Sequence, residues 1–247
     1  MSVPAVRLPR AVSLVVPMLN EERSLPHFLD VALDALPRHT AEWEVVLVDD
    51  ASVDGTVTVA EARAANEPRI RIVRHEKNRG LGGALKSGFS AASKEWVLYS
   101  DCDLPWDLDE AGRVFRAAEL TGADVVSGYR HDRTGEGTLR TIYSFLYNGL
   151  VHALFDFPIR DVNFSCKLIR RRFLEGLTLE SEGSFIDAEL LVRLRNRGAR
   201  IQQVGLDYFP RTRGVSTLSS PRTILRILGD LARLAPALRA ERRRFAR

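Results

Sequence analysis

The sequence predicts an α/β protein built around a mostly parallel β-sheet. In its first half, short runs of Val, Ile and Leu alternate with segments of helical period, which is the pattern of βα units. The chain has 247 residues, 45% of them hydrophobic, and can bury a substantial core, so we expect one domain. It has no run of about 18 apolar residues and no signal-peptide-like start, so we expect it to stay in the cytoplasm.

The elements of the first half alternate between strand and helix. Apolar, β-branched runs predict strands at 11–17, 44–50, 69–73, 95–101 and 123–128. The segments between them predict helices at 21–36, 55–66, 81–93 and 107–121. Gly122 supplies the stop signal after the last of these helices.

The second half is less regular and ends in a basic segment. It predicts helices at 138–155 and 184–198 and strands at 163–171 and 199–206. Residues 221–247 contain eight arginines against two acidic residues. Pro236 is expected to bend or break a helix in this segment. Its apolar residues near one helical face are Ile224, Leu228, Leu231 and Leu238.

The basic segment indicates an anionic partner, either lipid head groups or nucleic acid, with a solvated helix end as the alternative. A helix with Arg outward and Leu or Ile inward can rest on an anionic bilayer. The same apolar residues can instead pack on this domain or on a second subunit. The segment lacks interleaved aromatic residues and a known recognition motif, which argues against nucleic acid.

Acidic residues follow three of the predicted strands. Ligands of parallel α/β sheets bind beyond the carboxyl ends of the strands, so these residues are the first candidates for chemistry. Asp101 and Asp103 end the fourth strand, and strand alternation puts them on one side with Cys102 turned away. A Mg²⁺ or Mn²⁺ ion would relieve their repulsion and carry substrate phosphates. Alternatively, Asp103 caps the helix that follows.

The segment NRGLGGALKSGF, residues 78–89, tests two nucleotide-binding folds. A Walker-type phosphate loop needs Gly directly before Lys-Ser, but Leu85 precedes Lys86. A dinucleotide fingerprint follows the first strand rather than the third. Both folds are therefore excluded.

Four segments occur in order at strand ends or helix starts: VVPMLNEE, VVLVDDASVDGT, NRGLGGALKSGF and VLYSDCDLPWD. Together they resemble family 2 of the inverting nucleotide-sugar glycosyltransferases. The later segments RDVNFSCKLIRR, FIDAELLVRLRNRGARI and RTRGVSTL are similar to the branch that contains dolichyl-phosphate mannose synthase and related polyprenyl-phosphate glycosyltransferases. The resemblance implies a GT-A fold in a single domain at 1–220. Its nucleotide-sugar half lies at about 10–128 and its acceptor half at about 129–220, and the tail at 221–247 follows.

By this resemblance the donor is a nucleotide sugar of the GDP-mannose or UDP-glucose type. Asp49 and Asp50 would contact the base and ribose, although Asp49 can instead order its turn. Lys86 would lie near phosphate, or simply be exposed at a Gly-rich helix start. The residues that match the family's donor loops are Pro17, Asn20, Glu21, Asp49, Asp50, Gly80 and Lys86.

Asp101 and Asp103 match the family's metal-binding Asp-x-Asp, which ties the donor diphosphate to the protein through Mg²⁺ or Mn²⁺. Many synthases of this branch carry Gln two residues after the second Asp as a further ligand. This chain has Pro105 at that point. We therefore expect water or phosphate oxygens to complete the coordination.

The implied acceptor is a polyprenyl phosphate at an anionic membrane surface, with the protein peripheral at the inner face of the membrane. Arg140, Ser144 and Asn148 share a helical face at spacings of four, so one phosphate could meet a cation and two neutral partners. The alternative makes the arginines of this region surface residues paired with nearby acids. Arg130 and Arg133 lie just beyond the fifth predicted strand, on the same acceptor side. Arg211 and Arg213 match the family's Arg-rich segment near the donor diphosphate or the acceptor.

The implied reaction is displacement at the anomeric carbon with inversion. A phosphate acceptor needs no general base, because the second pKa of a phosphate monoester is ~6. Asp187 matches an acidic position that faces the site in the family; it would be the base for a hydroxyl acceptor and a positioning group for a phosphate acceptor. Asp161 and Glu189 are weaker candidates, for which we favour structural roles.

Two other functions stay open at this point. One is transfer to a soluble hydroxyl acceptor. The other is a nucleotide-sugar-binding protein without turnover, suggested by Pro105 and by Thr217, where the family usually has Lys. A second copy of the chain and a membrane partner subunit are further partners that the sequence leaves open.

Overall fold

The strands and helices alternate as the sequence predicts. The structure is a computed structural model that describes residues 11–132, 138–209 and 221–245, with the backbone alone at 138–140, 221–224 and 243–245. The strands are β1 (Ala11–Met18), β2 (Glu42–Asp49), β3 (Ile70–Arg74), β4 (Trp96–Ser100), β5 (Val125–Arg130), β6 (Cys166–Arg170) and β7 (Ile201–Leu206). The α-helices are α1 (Leu25–His39), α2 (Thr56–Ala64), α3 (Gly80–Ala91), α4 (Ala111–Thr121), α5 (Thr138–Phe155), α6 (Ile186–Asn196) and α7 (Pro221–Phe245).

The strands form one sheet in the order β3-β2-β1-β4-β6-β5-β7. The pairs β1–β2, β1–β4, β2–β3 and β5–β7 are parallel. β6 lies between β4 and β5 and is antiparallel to both. The predicted mostly parallel α/β sheet is therefore confirmed, with β6 as its antiparallel strand.

Helices cover both faces of the sheet, because alternate residues of the central strands point to opposite sides. On one face, Leu14 and Val16 of β1 join a core with α1, α2 and α4. On the other face, Val15 joins a core with α3, α5, α6 and α7. A strand buried on both faces reads as a continuous apolar run, which explains the sequence of β1.

The last helix packs on the second core. The buried side of α7 packs on α6. The Asn196 side chain of α6 donates a hydrogen bond to the Leu238 carbonyl of α7 at 2.9 Å. The break expected at Pro236 is wrong, since α7 continues through it. Pro236 is exposed, so water can satisfy the carbonyl that its missing N–H leaves behind. The buried residues of α7 are Ile227, Leu231, Leu234, Ala235 and Leu238.

Within the described ranges, no helix is both long enough and apolar enough to cross a membrane.

Candidate active site

The carboxyl ends of β2, β1 and β4 form the edge where the predicted donor residues collect. β1 lies between β2 and β4 and is parallel to both. The strand order reverses at this point, because the chain proceeds from β1 to β2 and β3 on one side and to β4 on the other. Open α/β sheets bind ligands in the crevice at such a switch point. The loops at 19–24, 50–55 and 101–107 therefore line the candidate site.

The loop after β1 is held against the loop after β2. Asn20 adopts a left-handed φ of 58°, which Asn tolerates better than most residues. Its backbone N–H donates to the Ser52 hydroxyl at 2.9 Å, and its side-chain oxygen accepts from the Val53 N–H at 2.9 Å. The Glu21 N–H donates to the Thr56 hydroxyl at 2.7 Å. Asn20 and Glu21, which follow Pro17 at the end of β1, thus shape one wall of the crevice.

The two acids at the end of β2 have different surroundings. Asp49 is buried and accepts a long hydrogen bond from the Ser52 N–H at 3.3 Å, which orders the turn. Asp50 is also buried and contacts the His75 ring at 2.7 Å and the Arg79 N–H at 2.8 Å, both through Oδ1. The other His75 ring nitrogen lies 2.8 Å from the Ser87 hydroxyl. Asp50 therefore connects the loop after β2 to the start of α3.

The glycines that begin α3 are needed for backbone packing. Gly80 has a φ of +70°, and a Cβ there would lie 2.4 Å from the Glu182 carbonyl oxygen. A Cβ on Gly82 would lie 2.2 Å from the Ser181 carbonyl oxygen. These glycines therefore let the start of α3 pack closely on the backbone of residues 181–182. Lys86, one turn further, is half-buried and forms no ion pair within the described residues.

Asp101 and Asp103 lie in the turn that follows β4. β4 ends at Ser100, before the predicted end at 101, so Asp101 and Asp103 are held by a turn and the predicted strand alternation is wrong. Cys102 between them is buried in the first core, as expected. Leu104 has a φ of 51°, a conformation that costs free energy for a branched side chain and is concentrated at functional sites. Further along the loop, the buried Trp106 indole donates to the Ser165 carbonyl at 3.2 Å.

Behind this turn is a buried charged pair. Lys167 on β6 is fully buried and lies 2.6 Å from Asp187 of α6. Its ammonium also donates to the Phe164 carbonyl at 2.8 Å. Burial raises the pKa of Asp187, against the opposing charge of Lys167, and the charges of Asp101 and Asp161 raise it further. Asp187 is therefore near the acids of the site but has little access to solvent.

Tyr99 joins this pair to the site. Its hydroxyl donates to the Asp101 carboxylate at 3.0 Å, and the Lys167 ammonium lies 5.4 Å from its ring centre. Burial raises the pKa of the Tyr99 phenol well above its usual value, and the charges of Asp101, Asp187 and Asp103 add to the rise. The charges of three carboxylates thus act on one buried phenol. Such an excess of negative charge favours a cation at the end of β4.

The donor set fits a metal ion that is shared with a substrate. Within the residues that the structure describes, no group of three His, Cys, Asp or Glu side chains could hold a metal. Asp101 and Asp103 offer two carboxylates. Mg²⁺ is usually bound by one or two carboxylates together with substrate phosphates and water. The chemistry of the two residues therefore fits an ion of this type bound together with a diphosphate.

On the acceptor side, Arg130 is paired with an acid. Its guanidinium is nearly buried and lies 3.4 Å from the Asp161 carboxylate. It also stands 4.8 Å from the Tyr208 ring centre and 5.5 Å from that of Phe164. Much of the Arg130 charge is thus balanced within the protein. Its assignment to a phosphate stays a prediction.

The inner face of α5 approaches the same region. The Asn148 side-chain oxygen accepts from the Val162 N–H at 3.0 Å, next to Asp161. Burial raises the pKa of the Tyr147 phenol, and the charges of Asp187 and Asp230 add to the rise. Ser144 is half-buried one turn before Asn148. Two of the three predicted phosphate-binding positions of α5 therefore face the centre of the protein near the candidate site.

Several predicted acceptor residues lie outside the description. Arg133, Arg211 and Arg213 fall in the ranges that the structure does not describe. Arg140 is in α5, but its side chain is not described. Glu189 accepts from the Glu180 N–H at 2.9 Å, from the Ser181 N–H at 2.7 Å and from Arg193 at 2.8 Å. These bonds are those of a structural residue, the role favoured from the sequence.

Sequence reasoning did not single out His75, Tyr99 or Lys167. His75 and Lys167 contact predicted site acids that are 25 and 20 residues away along the chain, and contacts of this kind leave no local pattern. Tyr99 contacts Asp101 from two residues away. The one available signal was Lys167 in an otherwise apolar strand, because a buried Lys is rare unless it is paired.

The fold has solved relatives with the same topology. Glucosyl-3-phosphoglycerate synthase from Mycobacterium tuberculosis, solved with Mn²⁺, UDP and glucosyl-3-phosphoglycerate, superimposes with a TM-score of 0.68. The match covers 96% of this chain and 81% of that chain at 23% identity. At this identity the likeness shows the fold, which is the GT-A type implied by the motifs.

Sequence comparison identifies the class and then the family. The chain is 29% identical over 222 residues to dodecaprenyl-phosphate galacturonate synthase of Rhizobium johnstonii, covering 89% of this chain and 65% of that protein. It is 29% identical over 223 residues to undecaprenyl-phosphate mannosyltransferase of Micrococcus luteus, covering 84% of this chain and 87% of that protein. The protein is a glycosyltransferase. The model of glycosyl transferase family 2 matches residues 13–178, and the chain belongs to this family.

The chain spans 33% to 65% of the length of other curated relatives, including the Rhizobium protein.

Proposed function

We propose that this protein transfers a hexose, with inversion and with a divalent metal ion, from a nucleotide sugar to a polyprenyl phosphate at the membrane surface. The donor would be of the GDP-mannose or UDP-glucose type. The observation that carries the proposal is the acidic turn at Asp101 and Asp103, beside the β1/β4 crevice of a family 2 glycosyltransferase. Its relatives that act on dodecaprenyl and undecaprenyl phosphates support a lipid phosphate acceptor.

Different residues of the chain would bind the donor and the acceptor. The loops held by Asn20 and Asp50 shape the nucleotide side of the crevice, and Lys86 is the half-buried cation nearest to them in α3. Asp101 and Asp103 would hold a Mg²⁺ or Mn²⁺ ion, which supplies charge stabilisation for the departing diphosphate. Ser144 and Asn148, with Arg140 on the same helix, would orient the acceptor phosphate.

Asp187 is assigned a positioning role rather than that of a general base. A base must reach the proton that it removes, and Asp187 is buried with Lys167 as its partner. A phosphate nucleophile is already largely ionised at neutral pH and needs no base. The buried pair is thus compatible with a phosphate acceptor and less so with a hydroxyl acceptor. Transfer to a soluble hydroxyl compound, which the sequence left open, is therefore less well supported than transfer to a phosphate.

Transfer of labelled sugar tests the proposal directly. With GDP-mannose or UDP-glucose, Mn²⁺ and a short polyprenyl phosphate, we expect a lipid-linked product that is lost when EDTA is added. 3-Phosphoglycerate serves as a soluble hydroxyl acceptor in a parallel reaction. No product with any common donor, together with tight donor binding, would identify a binding protein without turnover and overturn the proposal.

Replacing Tyr99 by Phe is expected to weaken Mn²⁺ binding by about ten-fold, because the Asp101 carboxylate loses the hydroxyl that orients it at 3.0 Å. Free Mn²⁺ measured by electron paramagnetic resonance, in the presence of UDP or GDP, reports this affinity without turnover. Tyr129→Phe is the matched control, since its hydroxyl interacts with Arg160 at 3.1 Å and not with a site acid. Equal Mn²⁺ affinity in the two variants would show that the Tyr99 hydroxyl does not orient Asp101 for metal binding.

A further inference from the structure

Helix α5 exposes apolar side chains along its outer face. Phe145 and Leu146 lie three and four residues after Ile142, which are helical spacings, and we call these three residues the outer stripe. Phe145 is 77% and Leu146 60% exposed, values unusual for large apolar residues in a helix that packs on a core. Tyr143, beside the stripe, is 46% exposed. The stripe is thus an apolar surface with no cover among the described residues of this chain.

The opposite face of the same helix serves the site. Tyr147 and Val151 are turned inward, and Asn148 binds the backbone beside Asp161. One helix therefore separates a polar region, where the proposed acceptor phosphate would lie, from an apolar outer surface. A molecule with a charged phosphate and a long hydrocarbon chain has the same two-sided character.

Helix α7 contacts α5 and also exposes apolar side chains. Arg239 and Arg242 of α7 donate to the Leu154 and Phe155 carbonyls at the end of α5, at 2.8 Å and 3.1 Å. The end of α5 is thus held against the second half of α7. In its first two turns, α7 exposes Leu225 and Leu228.

The sequence around these first turns is basic. Residues 211–226 contain four arginines and no acidic residue, and Arg226 is exposed beside Leu225. The apolar face of α7 is already packed on the protein core, so the tail cannot present that face to a membrane. Aromatic and aliphatic side chains next to arginines are the combination that binds the interface of an anionic bilayer.

We propose that the outer stripe of α5, with Leu225 and Leu228 of α7, docks this protein on an anionic lipid bilayer. The inference rests on the proposed function, because it brings the inner face of α5 to an acceptor whose phosphate lies at the bilayer surface. It assigns membrane contact to α5 and the first turns of α7, instead of to the packed apolar face of the tail.

The experiment compares F145S/L146S with Leu120→Ser as a matched control. Leu120 is 76% exposed on α4, on the other face of the sheet. Binding is measured by co-sedimentation with vesicles of phosphatidylcholine and phosphatidylglycerol, and with phosphatidylcholine alone. F145S/L146S is expected to lower binding to the anionic vesicles by about ten-fold or more, and Leu120→Ser by less than about two-fold. Phe145→Trp should show a blue-shifted emission with the same vesicles.

Transfer to a short, water-soluble polyprenyl phosphate separates the two proposals. F145S/L146S should keep this activity within about two-fold of the unmodified protein, because both side chains point away from the site. If the unmodified protein transfers no sugar but F145S/L146S loses vesicle binding, the proposed function fails and the docking surface stands. Unchanged vesicle binding in F145S/L146S overturns the docking surface. So does light scattering that shows the stripe joining two copies of the chain instead of binding lipid.

Discussion

An Asp103→Asn variant is expected to transfer sugar at least about 100-fold more slowly than the unmodified protein. Asn keeps the size of the side chain and one oxygen but removes the negative charge that would hold a cation against the donor diphosphate. Asp101→Asn should have an effect of similar size, because both acids lie in the turn at the crevice. Initial rates at saturating donor and Mn²⁺ measure the loss.

The loss of metal-dependent donor binding in Asp103→Asn should also be measurable without turnover. Donor and Mn²⁺ together should raise the melting temperature of the unmodified protein, and this rise should be absent in Asp103→Asn. Asp107→Asn is the matched control in the same loop. Asp107 is exposed and accepts from the Asp109 N–H at 2.9 Å, a bond that Asn can also accept. If Asp103→Asn retains more than about a tenth of the activity, the Asp-x-Asp turn does not provide the charge stabilisation proposed here.

The sequence predicted the sheet well because its signals are local. The strand β1 reads as an apolar run since it is buried on both faces, and Gly122 ends α4 with a φ of 61°, as the stop signal predicts. The position of β6 was not predictable in this way. Its antiparallel insertion between β4 and β5 depends on pairing across about seventy residues to β4 and about forty residues to β5, which no local pattern records.

The sequence motifs predicted which residues lie at the candidate site, but not the contacts that those residues make. The turn at Asp101 and Asp103 lies at the expected strand end, but its backbone is a turn and not the last residues of a strand. Asp50 illustrates the limit. Its residue type suggests a nucleotide contact, yet its Oδ1 already meets His75 and the Arg79 N–H. Residues that are twenty-five or more positions away in the sequence therefore determine which oxygen atoms of Asp50 can still bind a ligand.

Lys167→Met is expected to lower the free energy of unfolding by about 3–5 kcal/mol. The substitution is close in volume, so the loss comes from charge: it leaves the Asp187 carboxylate buried without the ammonium that lies 2.6 Å away. The nearby charges of Asp101 and Asp161 add to the penalty, since both already raise the pKa of Asp187. Urea denaturation followed by circular dichroism measures the change.

The pH dependence of the variant has a definite sign. Without Lys167, the pKa of Asp187 in the folded protein rises further above the unfolded value of about 3.9. The folded state then binds a proton more tightly than the unfolded state, so stability is greatest below the unfolded pKa and falls as pH rises through the folded pKa. The deficit of Lys167→Met should therefore be larger at neutral pH than in mild acid.

A double substitution separates charge from packing. In the Lys167→Met/Asp187→Leu protein no buried charge is left unpaired, so most of the lost stability should return. Asp187→Asn alone should be milder than Lys167→Met, because the amide oxygen can still accept the Lys167 hydrogen bond. A loss below about 1 kcal/mol in Lys167→Met, or no recovery in the double variant, would mean that the pair is solvated and not the buried support of Tyr99 and Asp101 described above.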